Sequence, residues 1–135
     1  MDVIEGGCHC GRTRYQVSGT PENLCFCHCA SCRRASGAPL VAWGTFRRDG
    51  FRLRAGADHV LYRSSPAVQR GFCGHCGTAL SYAHEQRAGE IDIALATLDD
   101  PARYEPECHI WLEDRLPWMR IEDGRPRFQR FRTAG

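Results

Sequence analysis

Cys25-Phe26-Cys27-His28-Cys29-Ala30-Ser31-Cys32 places four sulfurs within eight residues, a spacing that suits a metal ion better than disulfides. In an extended strand, side chains two residues apart point the same way, so Cys27 and Cys29 reach toward one point. A tight turn through Ala30-Ser31 brings Cys32 back to it. Three thiolates leave the fourth tetrahedral position of a zinc ion open, and an open position separates a catalytic site from a structural one. Closure of the set by Cys25, Cys108 or His109 is the alternative that spacing leaves standing.

Two further cysteine pairs lie on either side of this stretch. Gly6-Gly7-Cys8-His9-Cys10-Gly11 is a glycine-bounded turn, and Cys73-Gly74-His75-Cys76-Gly77 is a C-x-x-C knuckle. Glycine lets the backbone turn tightly while its amides face sulfur, so the knuckle reads as half of a zinc ribbon. Cys8 and Cys10 supply the other half, and four thiolates close a tetrahedron. That second ion is expected to be structural, replacing core that short strands do not provide. His9, His28 and His75 fall between ligands and are expected to point away from the metals. His59 and His84 receive no role. Thiolate-rich sites carry negative charge, which Arg12, Arg14, Arg33, Arg34 and Arg70 are placed in sequence to offset.

The chain's 135 residues suit one domain spanning 1–135. All 18 basic residues are Arg, yet the net charge is only +2. That balance argues against a nucleic-acid partner. No apolar run approaches the ~18 residues of a membrane span, and the acidic start Met1-Asp2-Val3-Ile4-Glu5 lacks the pattern of a signal peptide. Nine cysteines in that context point to reduced thiols in the cytoplasm.

Short strands dominate the remainder. Alternation predicts strands over Arg12–Val17, Leu24–His28, Leu40–Phe46, Phe51–Arg54, His59–Tyr62, Val68–Phe72, Thr78–Tyr82 and Glu90–Thr97. In the last of these, Ile91, Ile93 and Leu95 share one face. Cys108–Leu112 and Pro126–Phe131 complete the set. Helical turns are expected over Cys32–Ser36 and over Asp99–Tyr104, the latter capped. The fold class is therefore all-β, a small zinc-pinned sheet domain.

The motifs Gly6–Gly11, Cys27-His28-Cys29-Ala30-Ser31-Cys32-Arg33 with Gly37-Ala38-Pro39, and Arg70-Gly71-Phe72-Cys73-Gly74-His75-Cys76-Gly77-Thr78 resemble the glutathione-dependent formaldehyde-activating enzyme family, which includes centromere protein V. Thr97–Pro101 and His109-Ile110-Trp111 fit its later part. The resemblance implies an Mss4-like, β-rich fold with two zinc ions. One is structural, on Cys8, Cys10, Cys73 and Cys76; the other is catalytic, on Cys27, Cys29 and Cys32. It implies a carbon–sulfur lyase-type activity, S-(hydroxymethyl)glutathione synthase, in which a thiol such as glutathione adds to formaldehyde or another small aldehyde. His109 or Asp99 would supply a proton. Arg33, Arg34 or Arg70 would hold the carboxylates of glutathione. Cys25 and Cys108 are extra to the pattern and read as small buried hydrophobes.

Two other functions compete with this one. A zinc-stabilised module binding protein or nucleic acid would use arginine patches without catalysis. A thiol redox sensor would oxidise Cys27 and Cys32 as zinc leaves.

Overall fold

The structure, a computed structural model, describes residues 2–132; Met1 and the last three residues of the 1–135 span lie outside the described residues. In chain order the strands are β1 (Val3–Gly7), β2 (Arg14–Ser18), β3 (Glu22–Cys27), β4 (Val41–Arg47), β5 (Arg52–Leu53), β6 (His59–Ser65), β7 (Val68–Cys73), β8 (Ala79–His84), β9 (Glu90–Ala94) and β10 (Cys108–Ile110). Helix α1 (Ala30–Ser36) sits between β3 and β4. The all-β expectation is met. Among the described residues no helix is long and apolar enough to cross a membrane.

The strands form a three-stranded sheet, β1-β2-β5, and a seven-stranded sheet in the order β10-β3-β4-β9-β8-β7-β6. Alternation in β2 buries Tyr15 and Val17. These pack with Ile4, Phe46, Leu80, Ile91, Ile93 and Leu95 in one apolar core. The period of two thus sends Ile91 and Ile93 to that core and turns Asp92, between them, to the other face. That second face carries a row of directly opposed residues, Arg70, Tyr82, Asp92 and Thr45, across β7, β8, β9 and β4. Beside the row, Cys25, Cys27, Trp43, Ala94 and Cys108 form a separate buried cluster with Cys32.

Several elements differ from expectation for identifiable reasons. Val3–Gly7 is a strand, although Gly6 and Gly7 weaken the pattern, because five paired positions with β2 stabilise it. Gly6 is needed there: a Cβ would fall 2.3 Å from the Tyr15 hydroxyl. The strand predicted to Thr97 stops at Ala94, where Leu95–Thr97 tightens into a 3-10 turn. Pro126–Phe131 contributes only an isolated bridge, Arg127 to His109. The turn at Pro101–Arg103 has no side-chain cap; Asp99 is held instead by Arg14, Oδ1 to Nη1 at 2.8 Å.

Candidate metal centre and its cavity

Strand β3 ends at Cys27, and Cys29 is the N-cap of α1, with extended backbone. Its sulfur accepts the Cys32 amide at 3.3 Å. The helix therefore begins at Ala30, two residues earlier than expected, because Cys29 serves as its cap in the manner of serine or aspartate. One turn of helix then returns Cys32 to the same point. Gly37, in the left-handed conformation, closes α1 by donating its amide to Arg33 O at 2.7 Å.

The thiols of Cys27, Cys29 and Cys32 lie within 4.8 Å of one another, as do those of Cys8, Cys10, Cys73 and Cys76. Among the described residues no other Cys, His, Asp or Glu joins either group. Cys25 shares the cavity-facing side of β3 with Cys27, and Cys108 lies opposite Cys25 in β10, but both stand outside the trio. Burial, and then Cys108, push the Cys25 thiol up to about 12, in keeping with a small buried hydrophobe.

The four-cysteine cluster is fixed by backbone and hydroxyl donors. The Thr13 amide donates to Cys8 Sγ and the Thr13 hydroxyl to Cys73 Sγ, each at 3.2 Å. The Thr78 hydroxyl lies 3.2 Å from Cys76 Sγ, and its donation leads the effects that lower that thiol to about 5. Gly77, at φ 83°, makes the knuckle's turn. Donors aimed at sulfur favour thiolates, and four of them suit a soft tetrahedral ion.

Within the trio, hydrogen bonds from Cys27 and Cys29, then the charge of Arg70, hold the Cys32 thiol far below its usual range. Hydrogen bonding to Cys29 and Cys32 pushes Cys27 upward. Three crowded sulfurs without a cation thus carry charge unequally, whereas a bound ion lets all three ionise. The donor set fits zinc in both places.

The trio opens onto a cavity of about 500 Å³ whose walls include Trp43, Thr45, Arg70, Tyr82, Asp92 and Trp111. Arg70 is 6% exposed. Its Nη2 lies 3.6 Å from Cys32 Sγ, its Nε donates to Ser64 Oγ at 3.2 Å, and its guanidinium covers the Tyr82 ring at 5.0 Å. Among the described residues no carboxylate pairs with it. Arg87, by contrast, clamps Asp92 through contacts of 2.8 and 3.1 Å, and Thr45 donates to Asp92 at 2.6 Å. Arg132 is paired with Glu107 at 3.1 Å.

Of the three arginines expected to hold carboxylates, Arg70 alone lines the cavity. Arg33 and Arg34 do not line the cavity, because each helical residue is rotated about 100° from the last, and Cys32 already faces inward. Arg34 is exposed, and Arg33 buries its Nε without a partner. Arg14 is engaged by Asp99, so neither serves the trio. Of the arginines expected to offset sulfur charge, Arg70 reaches Cys32 by its side chain and Arg12 reaches Cys10 by its backbone amide at 3.5 Å.

His109 is likewise not at the trio. Strand β10 runs parallel to β3 with Cys108 opposite Cys25, His109 opposite Phe26 and Ile110 opposite Cys27. Alternation therefore places His109 on the face away from Cys27. There it stacks on Phe26 at 4.9 Å and bonds His28 and Asp123. His28 turns away from the trio's ligands as expected and is fully buried. Burial lowers its imidazole to about 4. Tyr82, Trp43 and Asp92 were not singled out from sequence; the alternation around Asp92 was the one available signal.

A profile of the family described as "Glutathione-dependent formaldehyde-activating enzyme" matches residues 3–114. A Halomonas elongata protein named "Putative glutathione-dependent formaldehyde-activating enzyme" is 31% identical over 130 residues, covering 89% of this chain and 82% of its own. A Schizosaccharomyces pombe protein named as an uncharacterized lyase is 29% identical over 84 residues, 62% of this chain and 60% of its own. A crystal structure of a Rhodobacter sphaeroides protein aligns with a TM-score of 0.60 at 22% identity, covering 92% of this chain and 98% of that one, a likeness of fold. With the profile spanning most of its length, this chain belongs to the glutathione-dependent formaldehyde-activating enzyme family.

Proposed function

We propose that the protein is a zinc-dependent carbon–sulfur lyase-type enzyme that adds a thiol such as glutathione to formaldehyde or a related aldehyde. The observation carrying this reading is the convergence of Cys27, Cys29 and Cys32 on the floor of the larger cavity with no further protein ligand among the described residues. Cys8, Cys10, Cys73 and Cys76 hold the structural ion, and the trio holds the catalytic one. A zinc ion in the trio supplies Lewis acidity, which ionises an incoming thiol near neutral pH.

The chain's own residues do the rest. Arg70 sets its guanidinium beside the Cys32 sulfur at the trio, locked by Ser64 and the Tyr82 ring. Its N–H groups not engaged by Ser64 or Cys32 are placed to donate to the carbonyl oxygen as negative charge develops there. Trp43 and Trp111 cover apolar parts of the thiol. The Arg87–Asp92–Thr45 cluster forms a self-neutralised polar wall for its amide groups.

Exchange NMR of glutathione with formaldehyde tests the reading against the uncatalysed background. Faster exchange is expected from protein carrying two zinc equivalents. No acceleration at any protein concentration removes the proposed reaction.

A further inference from the structure

A second cavity, of about 300 Å³, meets the larger one at Cys32, Trp43 and Arg70. It is walled by Ala35 of α1, Val41 of β4, Tyr62 of β6, Phe72 of β7 and Ala79 of β8. Its single formally charged side chain is Arg70, the guanidinium that also stands beside the Cys32 sulfur. Cys32 therefore borders both cavities, and the two compartments differ in chemistry. The larger one carries Asp92, Asp114, Arg87 and Arg132 as well as aromatics. The smaller is mostly apolar, its polar residues being Arg70, Ser36 and Ser81, and both serine hydroxyls are already engaged, with Cys32 O and His59 Nε2.

Resting on the proposed reaction, we propose that the smaller cavity is the carbonyl subsite and that its occupant is an apolar aldehyde larger than formaldehyde. A water molecule takes about 30 Å³ of liquid volume, and formaldehyde is little larger, so formaldehyde would leave most of this cavity unfilled. An aliphatic aldehyde of four or five carbons, at about 30 Å³ per heavy atom, takes half of it or more, burying its chain against Val41, Tyr62 and Phe72 with its oxygen toward Arg70. The step balances without a redox partner. The thiolate sulfur forms the new bond to the carbonyl carbon, the π pair moves to oxygen, and the proton lost by the thiol returns to that oxygen through water. The product is a hemithioacetal.

The test compares formaldehyde, acetaldehyde, propanal and butanal as partners of glutathione with the zinc-loaded protein, by exchange NMR. The expected result is a gain in kcat/KM of about fourfold per methylene from acetaldehyde to butanal, the effect of burying each CH₂. Ala79→Phe, which fills the cavity, is expected to cut the butanal-to-acetaldehyde ratio at least tenfold. Ala35→Phe enters from the opposite wall and serves if the first variant misfolds. Butyramide, an unreactive isostere, is expected to shift the NMR signals of Trp43 and Phe72 in the wild type and not in Ala79→Phe. A flat chain-length series, or butyramide shifts that survive the plug, overturns the carbonyl subsite while leaving the thiol–formaldehyde reaction intact. Absence of acceleration with every one of the four aldehydes overturns both, and the two failures are thereby distinct.

Discussion

His28 Nε2 lies 2.9 Å from His109 Nδ1, joining two buried imidazoles on the side of the sheet opposite the metal trio. The tautomers follow from the next contact. Asp123 accepts from His109 Nε2 at 2.7 Å, which in a neutral ring leaves His109 Nδ1 as the bare nitrogen and makes His28 Nε2 the donor. His28 sits between two ligands, and this chain of bonds fixes its ring and with it the backbone from Cys27 to Cys29. His109→Ala strands a buried donor, and stability is expected to fall by about 1–3 kcal/mol in denaturant melts. Rate per bound zinc is expected to stay near wild type. A large drop in kcat with both ions retained would return His109 to the role of proton donor.

The two cysteine groups differ in what they connect. Cys8 and Cys10 are tied to Cys73 and Cys76 across the domain, whereas the trio is local. Cys76→Ser is expected to give insoluble or unfolded protein, while Cys29→Ser folds with one zinc equivalent lost. Circular dichroism with elemental analysis measures both, and equal solubility of the two variants contradicts the division of labour.

Arg70→Leu removes the one cavity arginine with no carboxylate partner. The expected loss in kcat is on the order of 10²–10³, the scale for deleting a donor aimed at developing negative charge. Arg70→Lys retains the charge but not the planar fork, and recovers part of the rate. Steady-state kinetics at saturating thiol separate this from a binding defect.

The Arg14–Asp99 pair predicts an acid-side effect on stability. Hydrogen bonding and charge from Arg14 hold the Asp99 carboxyl below its usual range. Its contribution is therefore present above the unfolded carboxyl value of about 4 and disappears as pH falls through the folded value. The pair is partly exposed, so the contribution is about 0.2–1 kcal/mol. Thermal melts of Asp99→Asn are expected to match wild type near pH 2–3 and to fall below it above pH 5.

Both cysteine groups were legible in the sequence because ligand spacing is a local property: C-x-C, C-x-x-C and a flanking glycine mean the same thing in any fold. The alternation of Ile91 and Ile93 was legible for the same reason. What adjacency concealed was the far side of each pairing. Arg33 and Arg34 follow Cys32 in the chain yet rotate off the cavity, while Arg70 arrives from a strand 38 residues away to touch the same sulfur. His109 was misplaced because the parallel register of β10 against β3, which decides its face, is set by tertiary packing. Strand β1 was missed because its partner, not its glycine-rich sequence, makes it a strand.

The parallel seating of β10 beside β3 has a bearing on biosynthesis. A nascent chain offers all three sulfurs of the trio once residue 32 has emerged, but the Cys73–Cys76 knuckle appears only with residue 76, and the last walls of the larger cavity only with residues 110–132. Cys27, Cys29 and Cys32 are thus the first potential metal-binding set that the growing polypeptide completes, well before the cavity around them exists.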